Sequence, residues 1–71
     1  MRVTNIVLDL VDPQAFFNEV SGYDISYCHI EGREWDICVP VKYLIPLLDC
    51  YFRGDVAMIG EWLEDNWDYL N

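Results

Sequence analysis

Residues 23–40, YDISYCHIEGREWDICVP, restrict the fold more than any other stretch. Tyr23, Ile25 and Tyr27 alternate with Asp24, Ser26 and Cys28, and Trp35, Ile37 and Val39 alternate with Glu34, Asp36 and Cys38. A period of two sends each set to its own face, which predicts two half-buried strands joined by a tight turn. A three-residue loop Ile30-Glu31-Gly32, with Gly32 left-handed, pairs Tyr27 with Trp35 and Ile25 with Ile37. A two-residue Glu31-Gly32 loop would put Trp35 beside Cys28 and mix the faces, so the longer loop is expected. That register gathers Asp24, Glu34 and Asp36 on the solvent face of the sheet.

The flanking segments read in the same way. In residues 3–11, VTNIVLDLV, Ile6, Leu8 and Leu10 oppose Asn5 and Asp9, which predicts a strand. Asp12-Pro13 supplies an N-cap and a first-turn proline, and Gly22 a stop, so residues 13–20 read as a short helix burying Phe16, Phe17 and Val20 in part. Residues 41–53, VKYLIPLLDCYFR, form the central and most buried helix, with Pro46 in its first turn or kinking it. Gly54-Asp55 ends that helix and caps the next, which starts near residue 56. The expected fold is one α+β domain over residues 1–71, in the order β-α-β-β-α-α, with a three-stranded, mainly antiparallel sheet packed on helices.

Composition decides what such a domain can meet. The 71 residues are 54% hydrophobic, too apolar for disorder, yet 13 acids against 4 bases leave a formal charge of −9. A magnitude of about 2–8 suffices for the solubility of a small domain, and the excess destabilises the compact state by self-repulsion. Nucleic acid and anionic membranes both demand Lys and Arg, so neither is an expected partner, and a basic protein is. The N-terminal MRVTNIVLDLVD is broken by Asp9, has no small-residue cleavage site and falls short of the roughly 20 residues of a membrane span, so a cytoplasmic protein is expected. Cys28, Cys38 and Cys50, an odd number without CxxC spacing, predict reduced thiols rather than a disulfide framework or structural zinc.

The acids concentrate in residues 61–71, EWLEDNWDYLN, within a segment from Gly54 onward that has no base. At about 100° per residue, Val56, Ile59, Leu63, Trp67 and Leu70 fall on one helical stripe. Glu61, Glu64, Asp65 and Asp68 fall on the opposite stripe, with Met58, Trp62 and Tyr69 on the border. Like charges one turn apart repel, and carboxylates crowd the end of the helix where the macrodipole prefers cations. Successive turns set the carboxylates about 5–6 Å apart, a row of negative charge that a Lys/Arg groove built for phosphates would accept. Glu61, Glu64, Asp65 and Asp68 are therefore the expected charged contacts, Trp62 and Tyr69 the aromatic anchors, and Asp24, Glu34 and Asp36 a second acidic patch.

In size, net charge and this acidic-aromatic run, the chain resembles the class of small acidic inhibitors made by phages and mobile elements, the anti-CRISPR and anti-restriction proteins among them. That resemblance implies a non-enzymatic inhibitor of a nucleic-acid-handling protein, a DNA mimic in many members, acting in the host cell cytoplasm. An immunity or antitoxin protein against a basic nuclease toxin would need the same surface. A third reading joins exposed Tyr43, Phe52 and Trp62 into a homodimer or subunit contact, so either a monomer or a homodimer is expected.

Catalysis has little to build on. Cys28 and His29 are strand neighbours and point to opposite faces, so they cannot act as nucleophile and base. Glu61 and Asp65 on a convex helix lack the desolvation that would separate two carboxyl pKa values. EDNWD at 64–68 lacks the glycine and ligand spacing of a calcium loop, and the four glycines form no phosphate-binding pattern. No catalytic residue, metal or cofactor is expected. Gly60, near the apolar stripe, predicts close approach of another helix.

Overall fold

The computed structural model of the chain describes residues 2–70. Its elements run β1 (Val3–Asp9), α1 (Pro13–Glu19), β2 (Ser26–Glu31), β3 (Glu34–Pro40), α2 (Leu44–Tyr51) and α3 (Val56–Asn66). Short 3₁₀ turns at Ser21–Tyr23, Val41–Tyr43 and Trp67–Tyr69 complete the order. This is the expected α+β arrangement, with a three-stranded sheet in the order β1-β3-β2 and both pairings antiparallel.

Local chemistry sets most boundaries. Thr4, Ile6 and Leu8 of β1 are buried while Val3, Asn5, Val7 and Asp9 are exposed, the alternation of a half-buried strand. Asp12 caps α1 by accepting from the Ala15 N–H at 3.2 Å, with Pro13 in the first turn. Pro46 likewise sits in the first turn of α2, where its missing N–H costs no helical hydrogen bond. Beyond α2, Arg53 and Gly54 are left-handed (φ 52° and 80°), and the Gly54 N–H returns to the Asp49 carbonyl at 2.9 Å. Asp55 then caps α3 by accepting from the Met58 N–H at 3.2 Å.

One sheet face and the helices bury a single core. Ile6, Leu8, Leu10, Ile37 and Val39 meet Phe16, Phe17 and Val20 from α1 and its end, Leu44, Leu47 and Leu48 from α2, and Ile59 from α3. Tyr51 ties α2 to the end of β1, its hydroxyl donating to the Asp9 carbonyl at 2.9 Å. The opposite face of the sheet carries Val3, Asn5, Val7, Glu34, Asp36, Cys28 and Cys38.

The hairpin departs from its expected register. His29, not Tyr27, lies opposite Trp35, Tyr27 lies opposite Ile37, and a bulge falls between His29 and Glu31. The turn is Gly32-Arg33, led by Gly32 at φ 54°, a position that glycine occupies without steric cost. The cause lies outside the hairpin. β3 pairs along its whole length with β1, Leu8 opposite Trp35 and Asp9 opposite Glu34. The Leu10 N–H extends that ladder to the Arg33 carbonyl at 2.8 Å, which pins residue 33 in the turn. The slip is two residues, so Tyr27, Trp35 and Ile37 keep the core-side face.

Asp24 is not on the sheet. It precedes β2 in the left-handed conformation (φ 55°), closing the 3₁₀ turn at Ser21–Tyr23, and so stands apart from Glu34 and Asp36. Tyr23 leaves the strand as well and stacks on Tyr43, ring centroids 5.2 Å apart.

Helix α3 is rotated from the expected stripe. Val56 and Trp67 are 78% and 63% exposed, whereas Trp62, Leu63 and Leu70 pack with Ile59 against the core. The packed positions, Ile59, Trp62, Leu63, Asn66 and Leu70, follow the i, i+3, i+4, i+7, i+11 spacing of one helix face. Asn66 hides in this stripe by donating to the Trp62 carbonyl at 2.8 Å. Tyr43, Phe52 and Trp62 are all half-buried against the core, so they form no common exposed contact. A methyl group at Gly60 would meet nothing within 4 Å, so no helix approaches there.

Candidate acidic interaction surface

The outer side of α3 and the 3₁₀ turn after it carry Glu61, Glu64, Asp65 and Asp68, all exposed. Their i, i+3, i+4, i+7 spacing holds them on the side away from Ile59 and Leu63. Among the described residues the ion pair is Arg33–Asp9, at 2.7 Å, so the helix acids have no cation of their own. No described cation neutralises this row, and it lies at the helix C-terminus, where the macrodipole already concentrates negative potential.

Trp67, next to Asp68, is the exposed indole on this side, while Trp62, the expected anchor, faces inward. The exchange follows from where α3 rests. Trp62, Asn66 and Leu70 line a shallow groove with Asn5, Ile6 and Val7, along the edge of β1 that faces away from β3. With Trp62 held there, Trp67 is carried round toward solvent. The side chain of Tyr69, the other expected anchor, lies outside the described residues.

Glu34 and Asp36 share the open sheet face, with Asp36 opposite Val7 and half-buried. The Asn5 amide donates to the Asp36 carboxylate at 3.4 Å and also lines the groove beside Trp62. Asn5 thus joins the sheet acids to the α3 side of the molecule, a link with no signal in the sequence. Asp24 belongs to neither group.

The bases are placed locally. Arg33 holds Asp9, and Lys42 lies over the Tyr43 ring at 5.0 Å from its centroid. A mixed-charge cleft brings Arg33 and Arg53 together with Asp9, Asp12 and Glu19 around Phe16 and Tyr51. Burial pushes the Tyr51 phenol above its ordinary 10.0, so it remains a neutral donor to the Asp9 carbonyl.

His29 Nε2 is 2.9 Å from the Gly32 carbonyl, and its ring lies 4.9 Å from that of Trp35. Cys28 sits on the other face, opposite Asp36. Among the described residues no three His, Cys, Asp or Glu side chains converge as metal ligands, and no helix is long and apolar enough to cross a membrane. The arrangement sets a row of exposed carboxylates beside one exposed aromatic ring. Comparison with protein-family models, curated proteins and solved structures finds no match.

Proposed function

We propose that this chain is a non-enzymatic acidic inhibitor, working in the cytoplasm, that covers a Lys/Arg-rich surface on a nucleic-acid-handling protein. The observation that carries the reading is the row Glu61, Glu64, Asp65 and Asp68, exposed, without cations of its own and bordered by exposed Trp67. Self-repulsion along that row destabilises the helix by a few tenths of a kcal/mol per pair, and a cationic groove would relieve it. Steering by the net charge of −9 would speed encounter, and Trp67 would provide the desolvated anchor that slows release. Glu34 and Asp36 would extend the contact across the groove that Asn5 shares with α3.

The test is affinity capture from lysate treated with nuclease, comparing the natural chain with a variant in which Glu61, Glu64, Asp65 and Asp68 are all Lys. The natural chain should retain a basic protein whose binding to duplex DNA it blocks, and the folded variant should lose both. Equal capture by the two chains would reduce the acids to solvated surface. A direct gel shift of duplex DNA by the chain itself at micromolar concentration would also exclude the reading.

A further inference from the structure

We propose that β2 is a dimerisation edge, pairing antiparallel with β2 of a second copy of this chain. In the order β1-β3-β2, the outer edge of β1 is flanked by Trp62, Asn66 and Leu70, whereas all six residues of β2 are exposed. Its outward N–H and C=O groups form a row that another strand can satisfy in full. Edges of this kind are ordinarily guarded by charged side chains, Pro or bulges. In SYCHIE the guards, Glu31 and the bulge after His29, fall at the C-terminal end, and Ser26–His29 carries no charge-bearing Lys, Arg, Asp or Glu and no Pro.

Charge selects the occupant. From Ile25 to Ile30 there is no carboxylate, in a chain with 13 acids in 71 residues. An added strand would lie against Ser26, Tyr27, Cys28 and His29, with Glu34 and Asp36 one strand further back. Two strand spacings are about 10 Å, about one Debye length at physiological salt, so along Ser26–His29 Lys or Arg on a foreign strand would find little to pair with, the acid of β2 itself being Glu31 at its end. A second β2 is neutral where this one is neutral. Aligned about a two-fold axis at Cys28, it sets Tyr27 opposite His29 and Ser26 opposite Ile30 of the second copy, with no acid directly opposite an acid. Tyr27 and Ile30, each 49% exposed, gain apolar cover. The acidic row on α3 lies at the far edge of the sheet and stays free. A ladder this short is small beside standard interfaces of about 1,200–2,000 Å², so the association depends on concentration.

The experiment measures solution mass by sedimentation on the full chain, diluted from about 500 µM to about 5 µM. The natural chain should move from twice 8.4 kDa toward 8.4 kDa. Cys28→Lys, which faces Asp36 within its own sheet, should fold and stay monomeric, because two ammonium groups would meet on the axis. Val11→Lys, the same charge change at a site 80% exposed outside the strands, should dimerise like the natural chain. Amide exchange of residues 26–30 in the natural chain provides a second reading that needs no variant, with protection rising as concentration rises. A mass of 8.4 kDa throughout overturns the proposal, as do a dimer that survives in folded Cys28→Lys and exchange that ignores concentration. Protection of residues 26–30 that appears only when a basic protein is added also overturns it, and gives the edge to that protein.

Discussion

The two edges of the sheet are treated in opposite ways. Along β1, α3 lays Trp62, Asn66 and Leu70 beside Asn5, Ile6 and Val7, and the strand's end is tied down by Tyr51 and by the Asp9–Arg33 pair. Along the outer edge of β2 no described element is laid down, and the strand is exposed from Ser26 to Glu31. The difference separates charge from neutral surface. The helix that closes one edge holds its hydrophobic side with Ile59, Trp62 and Leu63 and sends Glu61, Glu64, Asp65 and Asp68 outward, while the open edge has no acid until Glu31 at its end. A chain of formal charge −9 therefore has one side on which like molecules repel and another where they can approach.

The largest effect expected from this contrast comes from truncating one aromatic at each edge. Trp62→Ala should cost about 2–3 kcal/mol, less than a fully buried tryptophan because the ring is only half-buried, yet a large share of the stability of so small a domain. Tyr27→Ala should cost about 1 kcal/mol, since the ring is 49% exposed and its main contact is the stack on Phe17 at 3.7 Å. Urea unfolding of dilute samples checks both. Equal losses would mean that the β2 edge is as well packed as the β1 edge, and the contrast would fail.

A smaller effect tests the tie at the end of β1. Tyr51→Phe removes the donor to the Asp9 carbonyl and should cost about 1 kcal/mol near neutral pH. Because the folded state holds the Tyr51 proton more firmly than the unfolded chain, whose phenols titrate near 10.0, this stabilisation is complete below that pH and is lost as pH climbs through the raised value. The natural chain should thus lose stability above about pH 10 more steeply than Tyr51→Phe does. Parallel pH profiles for the two would place the phenol in an unperturbed setting.

Elements whose boundaries rest on neighbouring residues were legible in the sequence. Asp12 followed by Pro13 and Gly54 followed by Asp55 each satisfy or spare backbone groups within a few positions, and each occurs where those residue types predict, whereas Pro46, for which first turn and kink were both open, takes the first turn because α2 starts at Leu44 rather than at residue 41. Features set by distant partners were not legible. The hairpin turn lies at Gly32-Arg33 because β1 holds β3 as far as the Arg33 carbonyl, and nothing inside YDISYCHIEGREWDICVP encodes that constraint. Asp24 escaped for a related reason: the alternation of residues 23–28 looks like strand throughout, but Tyr23 is drawn onto Tyr43 and the chain turns left-handed at 24. Of the expected acidic surface, the helix row and the Glu34 and Asp36 pair remain exposed or half-exposed, and Asp24 drops out.

The smallest stability change and the most discriminating one belongs to the two tryptophans of α3. Ile59, Leu63 and Leu70 permit two helix phases, one carrying Trp67 inward and one carrying Trp62, and the polar Asn66 disguises the second. The structure has the second, with Asn66 satisfied by the Trp62 carbonyl. A ring 63% exposed contributes little to folding, so Trp67→Ala should shift unfolding free energy by less than about 0.5 kcal/mol, against the several-fold larger loss in Trp62→Ala. The same variant should release a captured basic partner at least about tenfold faster, as expected of an aromatic anchor at the centre of an interface. Quenching by neutral acrylamide separates the phases without a partner: the natural chain should lose most of its quenchable Trp emission in Trp67→Ala and keep it in Trp62→Phe. The reverse pattern would turn α3 back by one residue and take the exposed indole away from the acidic row.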